Sequence, residues 1–258
     1  VPITFDKVGS NWDSSQTIRR RYAESGEPVI LSFSRGKDAI AAWLALLDDG
    51  VQPSQIHPLY YDPVPGMRFI REDIEYWEEQ FNTHIAVFPH PELFRQLTEF
   101  VWQPPTRTGY LCALADAIGK PPTFQDFERL YRESEGLPES THVLTGVRAT
   151  DSIARSTYIK RSGPYSAAKQ RMACIWDWTQ TECYDRIADA GLRLPVDYEW
   201  FKRNGRKNSG RSFDGLAYQF TKPLSIYAPD DYEVLKEWFP LIELDHYRHE
   251  DLSNAVDF

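Results

Sequence analysis

Val29 to Gly50 reads VILSFSRGKDAIAAWLALLDDG, and no other stretch narrows the fold as much. The apolar run Val29-Ile30-Leu31 predicts a buried strand. A small polar turn, Ser32 to Asp38, follows it. The apolar segment from Ala39 to Leu47 predicts a helix, with Gly50 placed as its C′ glycine. Strand, short polar turn and helix together aim backbone N–H groups at an anion, and the positive end of the helix dipole adds to the attraction. Gly36 allows close backbone approach, and Lys37 supplies a flexible cation. The turn is not a Walker A loop: Lys37 is followed by Asp38, and the GxxxxGK[ST] spacing is absent.

Around this unit, strand and helix signals alternate. Residues 1–28 read as a lead-in with a short helix over Ile18 to Ala23. Ile56 to Tyr61 predicts a second strand with Asp62 at its carboxyl end, although Pro58 removes one ladder donor. Ile70, Ile74, Trp77 and Phe81 mark one face of a helix from Met67 to Phe81. Ile85 to Phe88 predicts a third strand, followed by helices over Pro91 to Val101, Tyr110 to Ile118 and Thr123 to Glu135. His142 to Thr145 and Met172 to Trp176 predict strands four and five. Asp177 or Thr179 is placed to cap a helix running through Ala190. Pro229 to Phe239 predicts a further helix. This order argues for an α/β fold: a mostly parallel twisted sheet with helices on both faces, whose ligands bind outside the carboxyl ends of the strands. We expect one nucleotide-binding domain over 1–195 and a C-terminal extension over 196–258.

The fourth strand runs into Gly146-Val147-Arg148-Ala149-Thr150-Asp151-Ser152-Ile153-Ala154-Arg155. A glycine at the strand end lets backbone approach, and two arginines supply planar bidentate donors for phosphate. Arg148 and Arg155 share a face if the segment is helical. The chain carries a net charge of −9, which argues against nonspecific coating of DNA by the whole surface. Yet Arg155 to Arg171 holds five basic residues and no acid, and Lys202 to Arg211 is likewise acid-free. Two basic islands in an acidic protein fit a local anionic ligand or, alternatively, two solvated loops.

Three segments resemble, in order, the phosphoadenosine phosphosulfate (PAPS) reductase family of the adenine nucleotide α-hydrolase-like, or PP-loop, superfamily. Ser32 to Ala39 resembles the SFSGGKDS pyrophosphate loop, with Arg35 in place of a glycine and Ala39 in place of a serine. Gly146 to Arg155 resembles the GxRxxES…R segment, with Asp151 where glutamate is usual. Asp177-Trp178-Thr179, with Arg171 just upstream, resembles the DWT segment. The resemblance implies a PP-loop, Rossmann-like fold binding ATP and cleaving it at the α-phosphate, so that AMP passes to an acceptor and pyrophosphate leaves. It implies that Ser32, Ser34 and Gly36 cradle phosphate with Arg35 as a second cation, that Lys37 offsets developing charge, and that Asp38 helps hold Mg²⁺. Arg148 and Arg155 would hold the leaving group or second substrate, with Gly146 and Arg171 beside them and Asp62 near the adenine.

The reductase's ECGxH cysteine motif is not found after Cys183, so reduction of a sulfonucleotide by that route is not expected. Cys112, Cys174 and Cys183 lack the spacing of an iron–sulfur site. Two other readings stay open: a PAPS-binding enzyme that uses an external thiol, and a nucleotide-sensing or nucleic-acid-interacting module without catalysis. The acceptor stays open too, as a tRNA base, a DNA base or a small metabolite. An anionic second substrate fits the islands, and the reading leaves room for a homo-oligomer. The chain has no apolar run near the ~20 residues of a membrane span, the lead-in has no signal-peptide pattern, and the three cysteines suggest no disulfide framework. These signs predict a cytoplasmic protein with no membrane partner.

Overall fold

The computed structural model describes residues 3, 7–8, 11–203 and 212–254. The strands are β1 (Lys7–Val8), β2 (Asn11–Trp12), β3 (Val29–Ser32), β4 (Ile56–Asp62), β5 (Ala86–Pro89), β6 (Val143–Thr145), β7 (Tyr165–Ser166) and β8 (Arg171–Ala173). The helices are α1 (Ser15–Ser25), α2 (Lys37–Asp48), α3 (Arg68–Phe81), α4 (Pro91–Thr98), α5 (Thr108–Ile118), α6 (Phe124–Glu135), α7 (Ile153–Ser162), α8 (Gln180–Asp189), α9 (Asp197–Arg203), α10 (Tyr218–Tyr227), α11 (Pro229–Trp238) and α12 (Glu243–Asn254).

Six strands form one sheet in the order β5-β4-β3-β6-β8-β7, and β1 pairs separately with β2. β3 runs parallel to both β4 and β6, and β6 parallel to β8; β7 joins β8 antiparallel. This is the mostly parallel α/β sheet expected. Val29, Ile30 and Leu31 are all buried although successive side chains point to opposite faces, so the sheet is covered on both sides at β3. The chain leaves β3 toward β4 on one side and returns to β6 on the other. The carboxyl ends of β3 and β6 are thus the switch point, where a crevice opens in folds of this kind.

The structure falls into two compact units: Val1–Tyr60 with Tyr76–Val87 and Glu128–Pro195, and Tyr61–Glu75 with Phe88–Phe127 and Val196–Phe258. In the first, α2 is buried almost all round, which explains its near-continuous apolar sequence. It packs on α1 and α8. Trp43 stacks on Phe81 at a ring-centroid separation of 4.0 Å and meets Phe33 edge-on at 5.4 Å. Each such aromatic pair adds roughly 1 kcal/mol to the area it buries.

In the second unit the Asp231 carboxylate accepts from the Arg68 and Phe69 amides at the start of α3, at 2.5 and 3.3 Å. Phe69 packs edge-on against Trp200 and Phe213. Val196–Phe258, expected as an extension, belongs to this unit together with 61–75 and 88–127. Local periodicity did not reveal α9, α10, α12 or the two-residue edge strand β7.

Candidate functional site

The loop after β3 begins with Ser32, half-buried, and Ser34, exposed. Arg35 adopts φ +59°, the left-handed region that a side chain ordinarily avoids at about 1 kcal/mol or more. Gly36 sits at φ −70° as the N-cap of α2. The position that needs glycine's freedom is therefore 35, where this chain carries arginine. The Arg35 side chain is fully buried, with its Cζ 6.0 Å from the ring centre of Tyr60. It turns inward and does not project as a second cation toward solvent.

No side chain caps α2, so its N-terminus faces the switch point with backbone amides that only a ligand, water or the loop itself can satisfy. Lys37 was expected to project toward ligand. Its side chain is instead 5% exposed and folded onto its own neighbour, with Nζ 2.9 Å from Asp38 Oδ2. The other carboxylate oxygen, Asp38 Oδ1, lies 2.8 Å from Arg148 Nε.

Arg148 arrives from the loop after β6. Gly146 is what allows it: a Cβ there would lie 2.5 Å from the Asp38 carbonyl oxygen, 2.6 Å from its carbon and 3.0 Å from the Ala39 nitrogen. The two loops touch backbone to backbone. Arg148 then continues the chain of charges, with Nη2 2.5 Å from Asp151 Oδ1, and Asp151 Oδ2 lies 2.6 Å from Arg155 Nη1. Lys37, Asp38, Arg148, Asp151 and Arg155 thus alternate in sign along one connected line. Arg148 and Arg155 do not share a helix face, because a 3₁₀ turn over Ala149–Asp151 precedes α7. They are joined through Asp151.

The DWT turn braces this arrangement from below. The Ala149 amide donates to the Trp176 carbonyl at 2.7 Å and Thr150 Oγ1 to the Trp178 carbonyl at 3.0 Å. Thr179 caps α8 reciprocally with Glu182. Asp177 accepts from the Ser15 amide at 3.0 Å and from the Ser15 hydroxyl, which ties in α1. Arg19 donates from Nη1 to the Cys174 carbonyl at 2.6 Å. Ser15 and Arg19 carried no recognisable motif, because their partners lie more than 150 positions away.

One predicted residue lies elsewhere. Arg171 opens β8 in register with Val143, at the end of the sheet away from Thr145 and Gly146, and pairs with buried Glu128. Burial raises that carboxyl above its usual range despite the guanidinium beside it. Asp62 belongs to the second unit, where its side chain accepts from the Val64 amide at 3.1 Å and its carbonyl from the His90 amide at 2.8 Å. The second basic island lies outside the residues whose side chains are described.

Cys183, on α8, is buried, and burial with the Asp38 carboxylate beside it pushes its thiol up to about 12. Burial likewise pushes Cys174 up to about 12. Both are thiols and weak nucleophiles near neutrality. Cys112 is exposed. Among the described residues no cluster of three or more His, Cys, Asp or Glu side chains is placed to hold a metal ion, and no helix is long and apolar enough to cross a membrane.

No family model and no curated protein matches the chain. Several solved structures overlap with it. A phosphoadenylyl-sulfate (PAPS) reductase from Candida auris, in a phosphate complex, does so at TM-score 0.43 and 11% identity, over 76% of this chain and 86% of that one. The U34-tRNA thiolase NcsA from Methanococcus maripaludis gives 0.43 and 13%, over 89% and 78%. A glutamine-dependent NAD⁺ synthetase from Acinetobacter baumannii, in complex with ADP, gives 0.40 and 16%, over 92% of this chain but 44% of that one. At such scores and identities these overlaps decide nothing about activity, and the chemistry rests on the site's own residues.

Proposed function

We propose that the loops after β3 and β6 bind the phosphates of an adenine nucleotide, and that the protein is a PP-loop enzyme that cleaves ATP at the α-phosphate to adenylylate an acceptor. The observation that carries this reading is the meeting of three features at one strand end: the uncapped N-terminus of α2, the Lys37 ammonium and the Arg148 guanidinium. An acceptor oxygen attacks the α-phosphorus and the bond to the bridging oxygen of pyrophosphate breaks. Negative charge moves onto the leaving group, where Lys37 and Arg148 offset it. No side chain acts as nucleophile.

Asp38 enters this scheme as a clamp. Both its oxygens already face buried cations, so Mg²⁺ would compete with Lys37 and Arg148 for the same atoms. The residues present do not fit a metal ligand at this position, and no step is routed through one. The carboxylate holds the two cations at the strand ends until phosphate oxygens replace it.

Lys37→Ala is expected to weaken ATP binding by about tenfold to a hundredfold, the worth of one charge-assisted hydrogen bond at a shielded site. Arg148 still pairs Asp38 in this variant, so the fold should hold. Calorimetric titration of the parent and the variant, with circular dichroism as the folding control, reads the effect. Equal affinities would remove the loop from the site.

The competing reading, a sulfonucleotide enzyme, makes a different prediction. With Cys174 and Cys183 both protonated and buried, incubation with PAPS and thioredoxin should release no sulfite above background. Release that disappears in Cys183→Ser would favour the reductase reading and defeat ours.

A further inference from the structure

We propose that the exposed face of α7 is a docking surface for single-stranded nucleic acid. Its delivery of an acceptor to the loops rests on the nucleotide reading above; the surface itself stands on its own residues.

Of the ten residues of α7 only Ile159 is buried. Arg155, Tyr158 and Arg161 follow one another at intervals of three, so they form a stripe along the helix. The Arg155 side chain is 52% exposed, Tyr158 is 48% exposed, and Arg161 is exposed. Ile153, 87% exposed, stands at the start of the same helix. A single exposed apolar residue is ordinary. A tyrosine set between two guanidinia on a helix without one acid is a more specific composition.

What sets this segment apart is that its unmatched cations are gathered together. Many exposed cations elsewhere are matched by carboxylates: Arg95 with Glu92 and Glu99, Arg129 with Glu133, Lys222 with Glu250, and Lys236 with Glu233 and Glu243, whereas Lys120 and Arg248 stand singly in their own segments. From Ser152 to Trp176 the sequence contains no acidic residue. Among the described residues Lys160, Arg161 and Lys169 take part in no ion pair. A chain of net charge −9 has carboxylates to spare, so a segment where Lys160, Arg161 and Lys169 gather unmatched beside the Asp151-paired Arg155 fits an anion supplied from outside.

The tyrosine selects among anions. Polyphosphate or an acidic peptide would use the cations and gain little from an exposed ring. An unpaired base can stack on it while the flanking guanidinia meet the phosphates, whereas the bases of a duplex are already stacked and out of reach. The stripe also starts at the candidate site: Arg155 pairs with Asp151, which pairs with Arg148. A strand held along α7 would carry one nucleotide toward the loops.

The test is fluorescence anisotropy of the full chain with a labelled single-stranded oligonucleotide of mixed sequence, over a range of salt. Tyr158→Ala should weaken binding about tenfold and Tyr158→Phe should retain it. Arg161→Ala should lower the salt slope by about one. ATP affinity, measured separately, should be unchanged in all three. Binding absent in the parent, binding indifferent to Tyr158→Ala, or equal binding of polyglutamate would each overturn the proposal. Oligonucleotide binding that follows this pattern in a protein that fails to bind ATP would support the surface and defeat the nucleotide reading.

Discussion

Gly146→Ala is expected to unfold or severely destabilise the first unit, by about 3 kcal/mol or more. A well-packed interior resists an added methyl by about 1–3 kcal/mol even when side chains can give way. Here the neighbours are backbone: the Asp38 carbonyl at 2.5 and 2.6 Å and the Ala39 nitrogen at 3.0 Å. Neither can rotate aside. The first turn of α2 would have to shift, and that shift would part Asp38 from Arg148 as well. Urea denaturation reads the loss, and nucleotide titration of whatever remains folded reads the damage to the site. Gly109→Ala is the control. It lies in α5 with nothing within 4 Å of an added Cβ, so it should be neutral or slightly stabilising through helix propensity. Equal unfolding midpoints for Gly146→Ala and the parent would mean that the loops do not meet as described.

Removing the Asp38 carboxylate should be nearly as costly, for an electrostatic reason. In Asp38→Ala, Lys37 and Arg148, both about 95% buried or more, would lose the carboxylate they share, although Asp151 would still pair Arg148. Breaking a buried pair by deleting one partner costs about 3–5 kcal/mol. Asp38 itself is 28% exposed, so water screens part of this, and about 2–3 kcal/mol is the expectation. Added pyrophosphate should restore stability to the variant more than to the parent, because it replaces the carboxylate that the two cations share. Asp38→Asn separates clamp from metal ligand. It should lower stability while leaving the Mg²⁺ dependence of nucleotide affinity as in the parent. Full stability of Asp38→Ala, or loss of the Mg²⁺ dependence in Asp38→Asn, would count against the clamp.

Strand and helix order was legible because it depends on short-range periodicity. Val29 to Leu31 are apolar because the strand is buried on both faces, and Ala39 to Leu46 because α2 is covered on nearly every side. Turn chemistry was legible in the same way: the Thr179–Glu182 box caps α8 over three residues. The Ser32 to Asp38 and Gly146 to Arg155 segments could be singled out as phosphate-loop candidates, since glycine and cations at a strand end have a local signature. Arg35 could be marked as a departure but not interpreted, because its inward course depends on what surrounds it.

What tertiary structure alone decided is which charges meet. Lys37 and Arg148 are 111 positions apart in a parallel sheet whose central pair, β3 and β6, is joined by a long excursion through β4 and β5. No local pattern encodes that Asp38 lies between them, or that Gly146 is glycine because the Asp38 carbonyl occupies the place of its side chain. The same holds for Arg171. Its proximity to the DWT segment in sequence suggested a ligand contact, yet the direction of β8 carries it to the other end of the sheet, where Glu128 neutralises it. Sequence specifies which side chains are charged. Strand order and register determine whether each charge faces a carboxylate, another cation or an open strand end, because electrostatic energy depends on distance in space and not on separation along the chain.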